Sequence, residues 1–510
     1  MSGSPEATRP PTTTVPEVAS LASATATTGP EGDGSTQDMT GPSGRGRVVR
    51  SCDVAVVGGG AGGLAAARAG ARRGLRTVLV SDGALGGDCT FTGCVPSKTL
   101  IEAAAGGLPF AEASARMRAV VSQIAATEDA GVLRKEGVDL VEGSARFSGA
   151  RTLSVDGDSI RAKLVVIATG SRPAVPPIPG LDAIPFLTNE TVFDLDELPA
   201  SIAILGGGPI GCELAQAFRR FGSQVQVVEG EDRLLPREEP EASAVLASVF
   251  AAEGIGVHLG ASVERVEQVD PGTGIRLVRS DGSSVCAEVL LVAVGRRPAT
   301  AGLGAEAGGV KLDERGFVRT DRFLATGASG VYAVGDVTGR LLFTHAADEM
   351  GRLAVRNATT RLGRLGRRAF DTSSIPWVTF CDPEIARVGL TEGEAAEAGG
   401  RVAFVPMSEV DRAIAAGRTE GFVKLIAGPR PLLRGSGGGR LLGATIVAPR
   451  AGEMIHEVAL AIRTAMFTGR LAQTVHAYPT WSTSLRQAAA QFFMEVNGHR
   501  ARPVSSPPGR

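Results

Sequence analysis

The chain is organised around the stretch Gly86-Gly87-Asp88-Cys89-Thr90-Phe91-Thr92-Gly93-Cys94-Val95-Pro96-Ser97-Lys98. Two cysteines stand five residues apart in it, behind a glycine pair and ahead of a Pro-Ser-Lys turn. If one helix opens here, the sulfurs of Cys89 and Cys94 approach each other across a turn and a half, close enough for a strained, reducible disulfide. A helix N-terminus would also favour a thiolate. The alternative is a pair of buried structural cysteines, which is the common state of cysteine in a folded chain.

A glycine fingerprint precedes this stretch and favours the redox interpretation. The apolar run Cys52–Val57 predicts a buried strand, and residues 64–73 follow at helical spacing. Between them lies a G-x-G-x-x-G motif in the order strand, turn, helix that dinucleotide binding requires. Gly58 makes the tight turn, Gly60 lets the backbone approach a pyrophosphate, and Gly63 lets helix and strand pack closely.

A second fingerprint follows the apolar run at 201–205, with Gly206, Gly208 and Gly211 in the same roles. One such motif alone could be a tight turn without a ligand. Two copies in strand–turn–helix context, on either side of a cysteine pair, indicate a relay from nicotinamide to flavin to disulfide.

The strand after each fingerprint should end in an acid that binds ribose hydroxyls. The first ends in Ser81 and Asp82, either of which could do so, and we select Asp82. The second ends in Glu229, which would accept hydrogen bonds from a free 2′-hydroxyl and repel a 2′-phosphate. NADH is therefore favoured over NADPH, although Arg233 lies nearby.

Further strand–turn signatures indicate that the flavin domain is split in sequence. One apolar run ends at Thr169-Gly170. A similar apolar run ends at Gly295, where we expect an inserted nucleotide-binding domain to end. A third buried strand ends in Gly-Asp at Asp336, which is well placed for a cofactor hydroxyl. Taken alone, an ordinary turn aspartate explains Asp336 equally well.

The remaining regions are different in composition. Strands at 402–405, 421–426 and 440–447, with helices at 391–398 and 452–467, predict an antiparallel α+β domain whose residues 428–439 form an exposed hairpin loop.

The first 48 or so residues are too poor in large apolar side chains to fold, and they lack the features of a secretory signal. Lys plus Arg number 53 and Asp plus Glu 54, so no net charge favours nucleic acid. No membrane span is predicted, and six cysteines in 510 residues indicate a reducing, cytoplasmic protein.

Residues 51–495 resemble the class I pyridine nucleotide-disulfide oxidoreductases, which include dihydrolipoyl dehydrogenase, glutathione reductase and mercuric reductase. The stretch at 86–98 resembles the redox-active disulfide of that family, and residues 332–336 resemble its second flavin motif. Residues 375–384 are similar to the start of its dimerisation domain. The resemblance implies an FAD- and NAD(P)H-dependent homodimer acting on a small-molecule substrate.

The resemblance also implies roles for individual residues. Cys94 is the sulfur expected beside the flavin, and Cys89 is the interchange thiol that attacks substrate. Lys98 and Glu213 are expected to form an ion pair near the flavin and the nicotinamide. The alternative for Glu213 is a charge on a helix surface.

The sequence departs from the family near its C-terminus. Disulfide reductases of the family carry His-Pro-Thr-x-x-Glu, whose His–Glu pair serves the interchange thiol of the second subunit. Here Tyr478 takes the place of the histidine and Thr483 that of the glutamate. A phenol with a pKa near 10 is a poor base at neutral pH but can donate a hydrogen bond. His476 lies two residues early and would point the other way in an extended segment.

A tyrosine at this place resembles mercuric reductases, whose C-terminal cysteine pair is missing from this tail. The expected fold is α/β, with two Rossmann-like domains and a C-terminal α+β dimerisation domain. The domain boundaries that we draw are a disordered tail (1–48), FAD domain (49–195), NAD(P) domain (196–292), FAD domain continued (293–370), dimerisation domain (371–496) and a second disordered tail (497–510).

The expected function is transfer of hydride from NADH through FAD to a Cys89–Cys94 disulfide, and on to a small disulfide, metal or electrophile. Two alternatives stay open: a dihydrolipoyl dehydrogenase, and a slow redox-sensing flavoprotein. No resident metal is expected.

Overall fold

The computed structural model describes residues 49–270, 274–429, 438–498 and 500–504. The N-terminal tail expected over 1–48 lies outside these residues, as do 430–437 of the expected hairpin loop and 505–510 of the C-terminal tail. No helix in the described ranges is long and apolar enough to cross a membrane.

The elements are given in chain order. The first part of the chain forms β1 (Val49–Val57), α1 (Ala61–Ala71), β2 (Thr77–Ser81), α2 (Gly87–Phe91), α3 (Cys94–Ala105), α4 (Phe110–Ala125), α5 (Ala130–Lys135), β3 (Val138–Glu142), β4 (Ala145–Gly149), β5 (Thr152–Val155), β6 (Asp158–Ile167) and β7 (Ser171–Pro173). The middle forms β8 (Ser201–Leu205), α6 (Pro209–Phe221), β9 (Gln224–Val228), α7 (Pro240–Glu253), β10 (Gly256–His258), β11 (Val263–Asp270), β12 (Gly274–Arg279), β13 (Ser284–Ala287), β14 (Val289–Val292) and β15 (Arg296–Pro298). The remainder forms β16 (Val331–Ala333), α8 (Thr344–Thr359), β17 (Trp377–Thr379), β18 (Glu384–Gly389), α9 (Glu392–Ala395), β19 (Arg401–Pro406), α10 (Asp411–Ala415), β20 (Phe422–Ala427), β21 (Leu441–Ala448), α11 (Ala451–Arg463), α12 (Thr468–Gln473), α13 (Thr483–Ala490) and β22 (Arg502–Pro503).

The first sheet has the order β3-β2-β1-β6-β5-β4, with β16 also paired to β6. Strands β3, β2, β1, β6 and β16 run parallel, and their apolar runs are buried because helices cover both faces of such a sheet. Helix α8 packs tightly on α1 because the contact is made of small residues: a Cβ on Gly351 would lie 2.3 Å from the Gly62 carbonyl oxygen. Strand β16 joins this sheet only after the second sheet is complete, so the first sheet is interrupted in sequence.

The second parallel sheet has the order β10-β9-β8-β14 and lies beside the antiparallel sheet β11-β12-β13. Strands β7 and β15 pair with each other, so the turn after β6 and the turn after β14 are held together. This pairing brings the two strand–turn signatures at Gly170 and Gly295 side by side.

The C-terminal sheet is antiparallel, in the order β17-β18-β21-β20-β19-β22. Helices α11 and α13 bury one apolar stripe each against it, through residues such as Ile455, Val458 and Leu485. Three strands expected from the sequence are therefore present as β19, β20 and β21.

Three expectations need correction. The helix expected over 391–398 is only Glu392–Ala395, with Thr391 and Glu394 forming a capping box. The helix expected over 452–467 ends at Arg463, because the backbone turns left-handed at Ala465. The C-terminal tail is not wholly disordered, since Arg502 and Pro503 pair with β19.

Candidate active site

The two cysteines of the redox stretch lie on different helices. Cys89 belongs to the short helix α2 and Cys94 is the first residue of α3, so the single helix expected from the sequence is wrong. Gly93 breaks it, because a Cβ there would lie 2.7 Å from the Asp88 carbonyl oxygen. Both cysteines are free thiols in this structure, within hydrogen-bonding reach of each other.

The surroundings of the two thiols make them unequal. The hydrogen bond between them lowers the pKa of Cys94, and the positive charge of Lys98 lowers it further. The same hydrogen bond, together with burial, raises the pKa of Cys89. Thr344 at the start of α8 places its hydroxyl 3.6 Å from Cys94 Sγ. The lowered pKa favours Cys94 over Cys89 as the site of the negative charge when both sulfurs are reduced.

Lys98 and Glu213 form an ion pair that links α3 to α6. Lys98 Nζ lies 2.7 Å from Glu213 Oε2, and Glu213 Oε1 accepts a hydrogen bond from the Phe380 backbone N–H at 2.9 Å. Lys98 also lies over the Phe380 ring, 4.7 Å from its centroid. Glu213 is buried and therefore is not a surface charge.

Both glycine fingerprints form the strand–turn–helix units expected of them. Gly60 and Gly208 stand at the N-termini of α1 and α6, and among the described residues no atom beyond their immediate chain neighbours and their own helix lies within 4 Å of where a Cβ on either would be. Gly63 and Gly211 instead meet the preceding turn, with ideal Cβ positions 1.8 and 2.0 Å from a carbonyl oxygen. The open glycines leave room for a phosphate at each helix N-terminus.

The two expected ribose acids differ in their surroundings. Glu229 accepts hydrogen bonds from the backbone N–H groups of Gly207 at 2.6 Å and Glu231 at 3.0 Å. Asp82 instead accepts one from the Ser144 hydroxyl at 2.9 Å. Ser81, and not Asp82, lies against its glycine loop.

A network that sequence reasoning missed surrounds Asp336. Asp336 accepts a hydrogen bond from the Ser171 hydroxyl at 2.6 Å, and Arg296 Nε lies 3.5 Å from the same carboxylate. Arg296 also pairs with Asp88, the neighbour of Cys89. Burial raises the pKa of Asp336, and the bond from Ser171 opposes that rise. The sequence signal was limited to position: Asp88 lies in the cysteine stretch, and Ser171 and Arg296 directly follow the turns at Gly170 and Gly295.

Side chains of the first sheet fit a bound flavin nucleotide. The Thr169 hydroxyl is buried without a hydrogen-bond partner in the described part of the chain. It stands in the turn after β6, next to Gly170, where β7 and β15 meet. Asp336 offers an acceptor from the carboxyl end of the adjacent strand. An unpartnered hydroxyl and a carboxylate beside an open glycine loop suit the hydroxyl-rich body of FAD.

The C-terminal segment carries two polar pairs. The Tyr478 hydroxyl donates to Asp411 Oδ2 at 2.9 Å, and this bond raises the pKa of Tyr478. His476 Nε2 lies 3.2 Å from Glu457 Oε2, and its Nδ1 lies 3.0 Å from the Thr474 carbonyl oxygen. Within the described residues neither side chain contacts Cys89 or Cys94 of its own chain.

A cleft of about 860 Å³ is lined by residues of α1 and α8, including Thr344, and by residues of neighbouring segments. Arginines outnumber carboxylates among its lining residues, seven to five. Two of these arginines are neutralised locally, since Arg68 pairs with Glu136 at 2.7 Å and Arg352 pairs with Glu349 at 3.3 Å.

The chain matches the family described as pyridine nucleotide-disulphide oxidoreductase over residues 52–351, and the dimerisation domain of that family over 375–489. A mercuric reductase of Streptomyces lividans is 37% identical over 470 residues, which cover 87% of this chain and 97% of that protein. A dihydrolipoyl dehydrogenase of Thermus scotoductus is 36% identical over 468 residues, covering 86% and 97%.

Solved structures agree with this assignment. A Cu(II) complex of the HOCl-induced flavoprotein disulfide reductase RclA from Escherichia coli has a TM-score of 0.77 at 30% identity, covering 86% of this chain and 99% of that one. LpdA from Mycobacterium tuberculosis has a TM-score of 0.78 at 29% identity, covering 87% and 100%. The resemblance and the fold class expected from the sequence are confirmed: the chain belongs to the pyridine nucleotide-disulphide oxidoreductase family and is an FAD-dependent oxidoreductase with a C-terminal dimerisation domain.

Proposed function

We propose that the protein uses NADH to reduce a small disulfide or a comparable electrophile through the Cys89–Cys94 pair. The observation that carries this proposal is the unequal pair of thiols, of which Cys94 has the lowered pKa and Cys89 the raised one. FAD, when bound, supplies the chemistry that turns the hydride of NADH into electrons for a disulfide. Residues of this chain bind the nicotinamide nucleotide, orient the thiols and carry out the exchange with the acceptor.

The nicotinamide nucleotide is held at the second fingerprint. Gly208 and the N-terminus of α6 receive the pyrophosphate, and Glu229 accepts hydrogen bonds from the ribose. A carboxylate at that place repels a 2′-phosphate, which supports NADH over NADPH. The Lys98–Glu213 pair, buried on the Glu213 side, fixes α3 against α6 and so fixes the thiols relative to this nucleotide.

Reduction of the disulfide breaks the bond between Cys89 and Cys94 and leaves two electrons on the sulfurs. Cys94 keeps the charge as a thiolate, stabilised by Lys98. The Cys89 sulfur then attacks one sulfur of the acceptor as its proton passes to the departing sulfur, which forms a mixed disulfide and releases the first thiol. Cys94 attacks Cys89 in turn, which restores the disulfide and releases the second thiol. The two released thiols take up two protons, and NADH, one proton and the acceptor disulfide are consumed.

The acceptor approaches the thiols from the cleft that α1 and α8 help to line. Thr344 connects the two, since it lines the cleft and lies 3.6 Å from Cys94 Sγ. The excess of arginines in the lining favours an acceptor with negative charge. We place the enzyme in the reducing cytoplasm, because six cysteines in 510 residues do not make a disulfide scaffold.

Dihydrolipoyl dehydrogenase activity is the second candidate, favoured by the relative from Thermus scotoductus. Tyr478 argues against it, because its hydrogen bond to Asp411 raises the pKa of a group that is already a poor base. The phenol instead suits hydrogen-bond donation to a thiolate or a bound acceptor. We therefore prefer a reductase resembling mercuric reductase in its C-terminal segment.

The test is a Cys89→Ser variant, with Cys286→Ser as the matched control because Cys286 is an exposed thiol on β13. We expect Cys89→Ser to keep FAD and to keep reduction of the flavin by NADH. Turnover of 2-hydroxyethyl disulfide should fall by about 10³-fold or more, the scale seen when a nucleophile is removed. Unchanged disulfide turnover in Cys89→Ser would remove the cysteine pair from the mechanism.

A further inference from the structure

The two glycine loops of this chain share one backbone geometry. Gly58 N–H donates to the Val80 carbonyl oxygen at 2.8 Å, and Gly206 N–H donates to the Val228 carbonyl oxygen at 2.8 Å. The residue after Val80 therefore occupies the same place in the first loop that Glu229 occupies in the second. That residue is Ser81.

In the second loop the place is filled by a charged acceptor. Glu229 receives the Gly207 N–H at 2.6 Å and lies close to the loop, with its Cβ 3.1 Å from where a Cβ on Gly207 would be. A carboxylate so placed makes charge-assisted hydrogen bonds to ribose hydroxyls, roughly twice as strong as neutral ones.

In the first loop the same place holds a neutral hydroxyl. Ser81 is 8% exposed, and its Oγ lies 2.6 Å from where a Cβ on Gly59 would be. The hydroxyl already donates to the Gly83 carbonyl oxygen at 3.0 Å. Because its hydrogen is used in that bond, the Ser81 hydroxyl can only accept a hydrogen bond from a ribose hydroxyl.

The carboxylates beside Ser81, in sequence and on β3, are engaged or placed elsewhere, and Glu128 lies against Gly86 and not against Gly59. Asp82 accepts the Ser144 hydroxyl, which stands between β3 and β4. Glu142 is paired in register with Ser81 on the neighbouring strand, but its side chain is exposed. Neither contacts the glycine loop in the way that Glu229 contacts Gly207.

We infer that Ser81 is the residue that meets the adenosine ribose of FAD, and that the missing carboxylate makes FAD binding exchangeable. The flavin is then held mainly by the pyrophosphate site at α1 and by the Asp336 side. The fraction of protein carrying FAD follows the concentration of free FAD. This inference concerns cofactor binding alone and stands whichever acceptor the enzyme uses.

The test measures the Kd for FAD on apoprotein prepared from the full chain, using quenching of flavin fluorescence. We expect Ser81→Glu to lower the Kd by about tenfold or more, since a hydrogen bond to a charged group is worth more than one to a neutral group. Ser81→Ala should change the Kd by less than about threefold. Exchange of bound FAD for added flavin analogue should be correspondingly slower in Ser81→Glu.

Control substitutions at Asp82 and Glu142 test whether one of these carboxylates, and not Ser81, contacts the ribose of FAD. Asp82→Asn and Glu142→Gln should leave the Kd for FAD unchanged, and a tenfold loss in either would overturn the inference. It would also be overturned if folded Ser81→Glu bound FAD no more tightly than the wild type. The reciprocal change Glu229→Ser should weaken NADH about tenfold and NADPH less, and it remains a valid comparison of Ser with Glu if Ser81→Glu does not fold.

Discussion

Cys94 is the residue whose chemistry depends most on its neighbours. Its pKa is lowered first by the hydrogen bond from Cys89 and then by the charge of Lys98. A lowered pKa keeps the thiolate present as the pH falls, down to the lowered value, where the charge is lost. The reduced enzyme should therefore hold a thiolate at a pH where an ordinary thiol is protonated.

Replacing Lys98 by Met should raise the pKa of Cys94 by about one unit, because a positive charge is removed from beside a thiolate. The measurement is the ultraviolet thiolate absorbance as a function of pH, in a Cys89→Ser background so that one site thiol titrates. Lys163→Met serves as the control, since Lys163 is 79% exposed and pairs with Asp53. Coincident titration curves for Lys98→Met and its parent would contradict the assigned role.

At the scale of elements, the apolar runs predicted strands well. Strands β1, β2, β8 and β9 lie where the sequence indicated, because a buried parallel strand needs an uninterrupted apolar run and little else. The helices of the cysteine stretch were harder to predict. The division of the stretch into α2 and α3 follows from the close approach of Gly93 to the Asp88 carbonyl oxygen, a contact that no periodicity reveals.

The site was predictable only where a motif carries it. Lys98 and Glu213 were named from the resemblance, and the structure pairs them. Arg296 directly follows the expected turn at Gly295 but was given no role, because its partners Asp88 and Asp336 lie far away in sequence. The sequence offered Ser81 and Asp82 as candidates for the ribose contact, and the choice of Asp82 could not anticipate that Ser81 is the one that lies against Gly59.

One cluster of charges joins elements of the second and third sheets. Lys424 on β20 lies 3.3 Å from Glu239, 2.6 Å from Glu241 and 3.1 Å from Glu392, and it is 1% exposed. Arg502 of the C-terminal segment also pairs with Glu392. The cluster thus fixes α7 and the chain terminus against the C-terminal sheet.

Lys424→Met should lower the free energy of unfolding by about 3 kcal/mol or more, because it removes the cation that pairs with the buried Glu239 carboxylate, while Arg502 still pairs with Glu392. The exposed control Lys163→Met should change it by less than about 1 kcal/mol. Denaturant unfolding of both variants, followed by far-ultraviolet circular dichroism, measures the difference. Equal stability in the two variants would show that the cluster does not hold these elements together.

At the scale of the whole molecule, the C-terminal face points to a second subunit. Val475 is 92% exposed, Tyr478 73% and Met494 58%, which is unusual for large side chains unless another chain covers them. Val475 and Tyr478 belong to the segment that matches the dimerisation domain, and Met494 follows that segment. We propose that a homodimer brings Tyr478 of one subunit to the thiols of the other.

Restoring the His–Glu pair of the family should increase the activity of the enzyme toward lipoamide. We expect Tyr478→His combined with Thr483→Glu to raise the turnover of lipoamide by about tenfold or more, because imidazole titrates near neutral pH and a phenol does not. Tyr478→Phe is the control and should give no such gain. Reduction of the flavin by NADH should be the same in all three proteins. A folded, dimeric double variant without any gain would argue against Tyr478 standing at the acid–base position.

An anaerobic titration of the purified protein with NADH tests the central claim most directly. If Cys89 and Cys94 form the working redox centre, each subunit should take up two electrons beyond those that its flavin takes. A long-wavelength absorption from the Cys94 thiolate to the flavin should be largest at the halfway point. Uptake of the flavin's two electrons alone, with simple bleaching and no such absorption, would mean that the cysteines are idle and that the account is wrong.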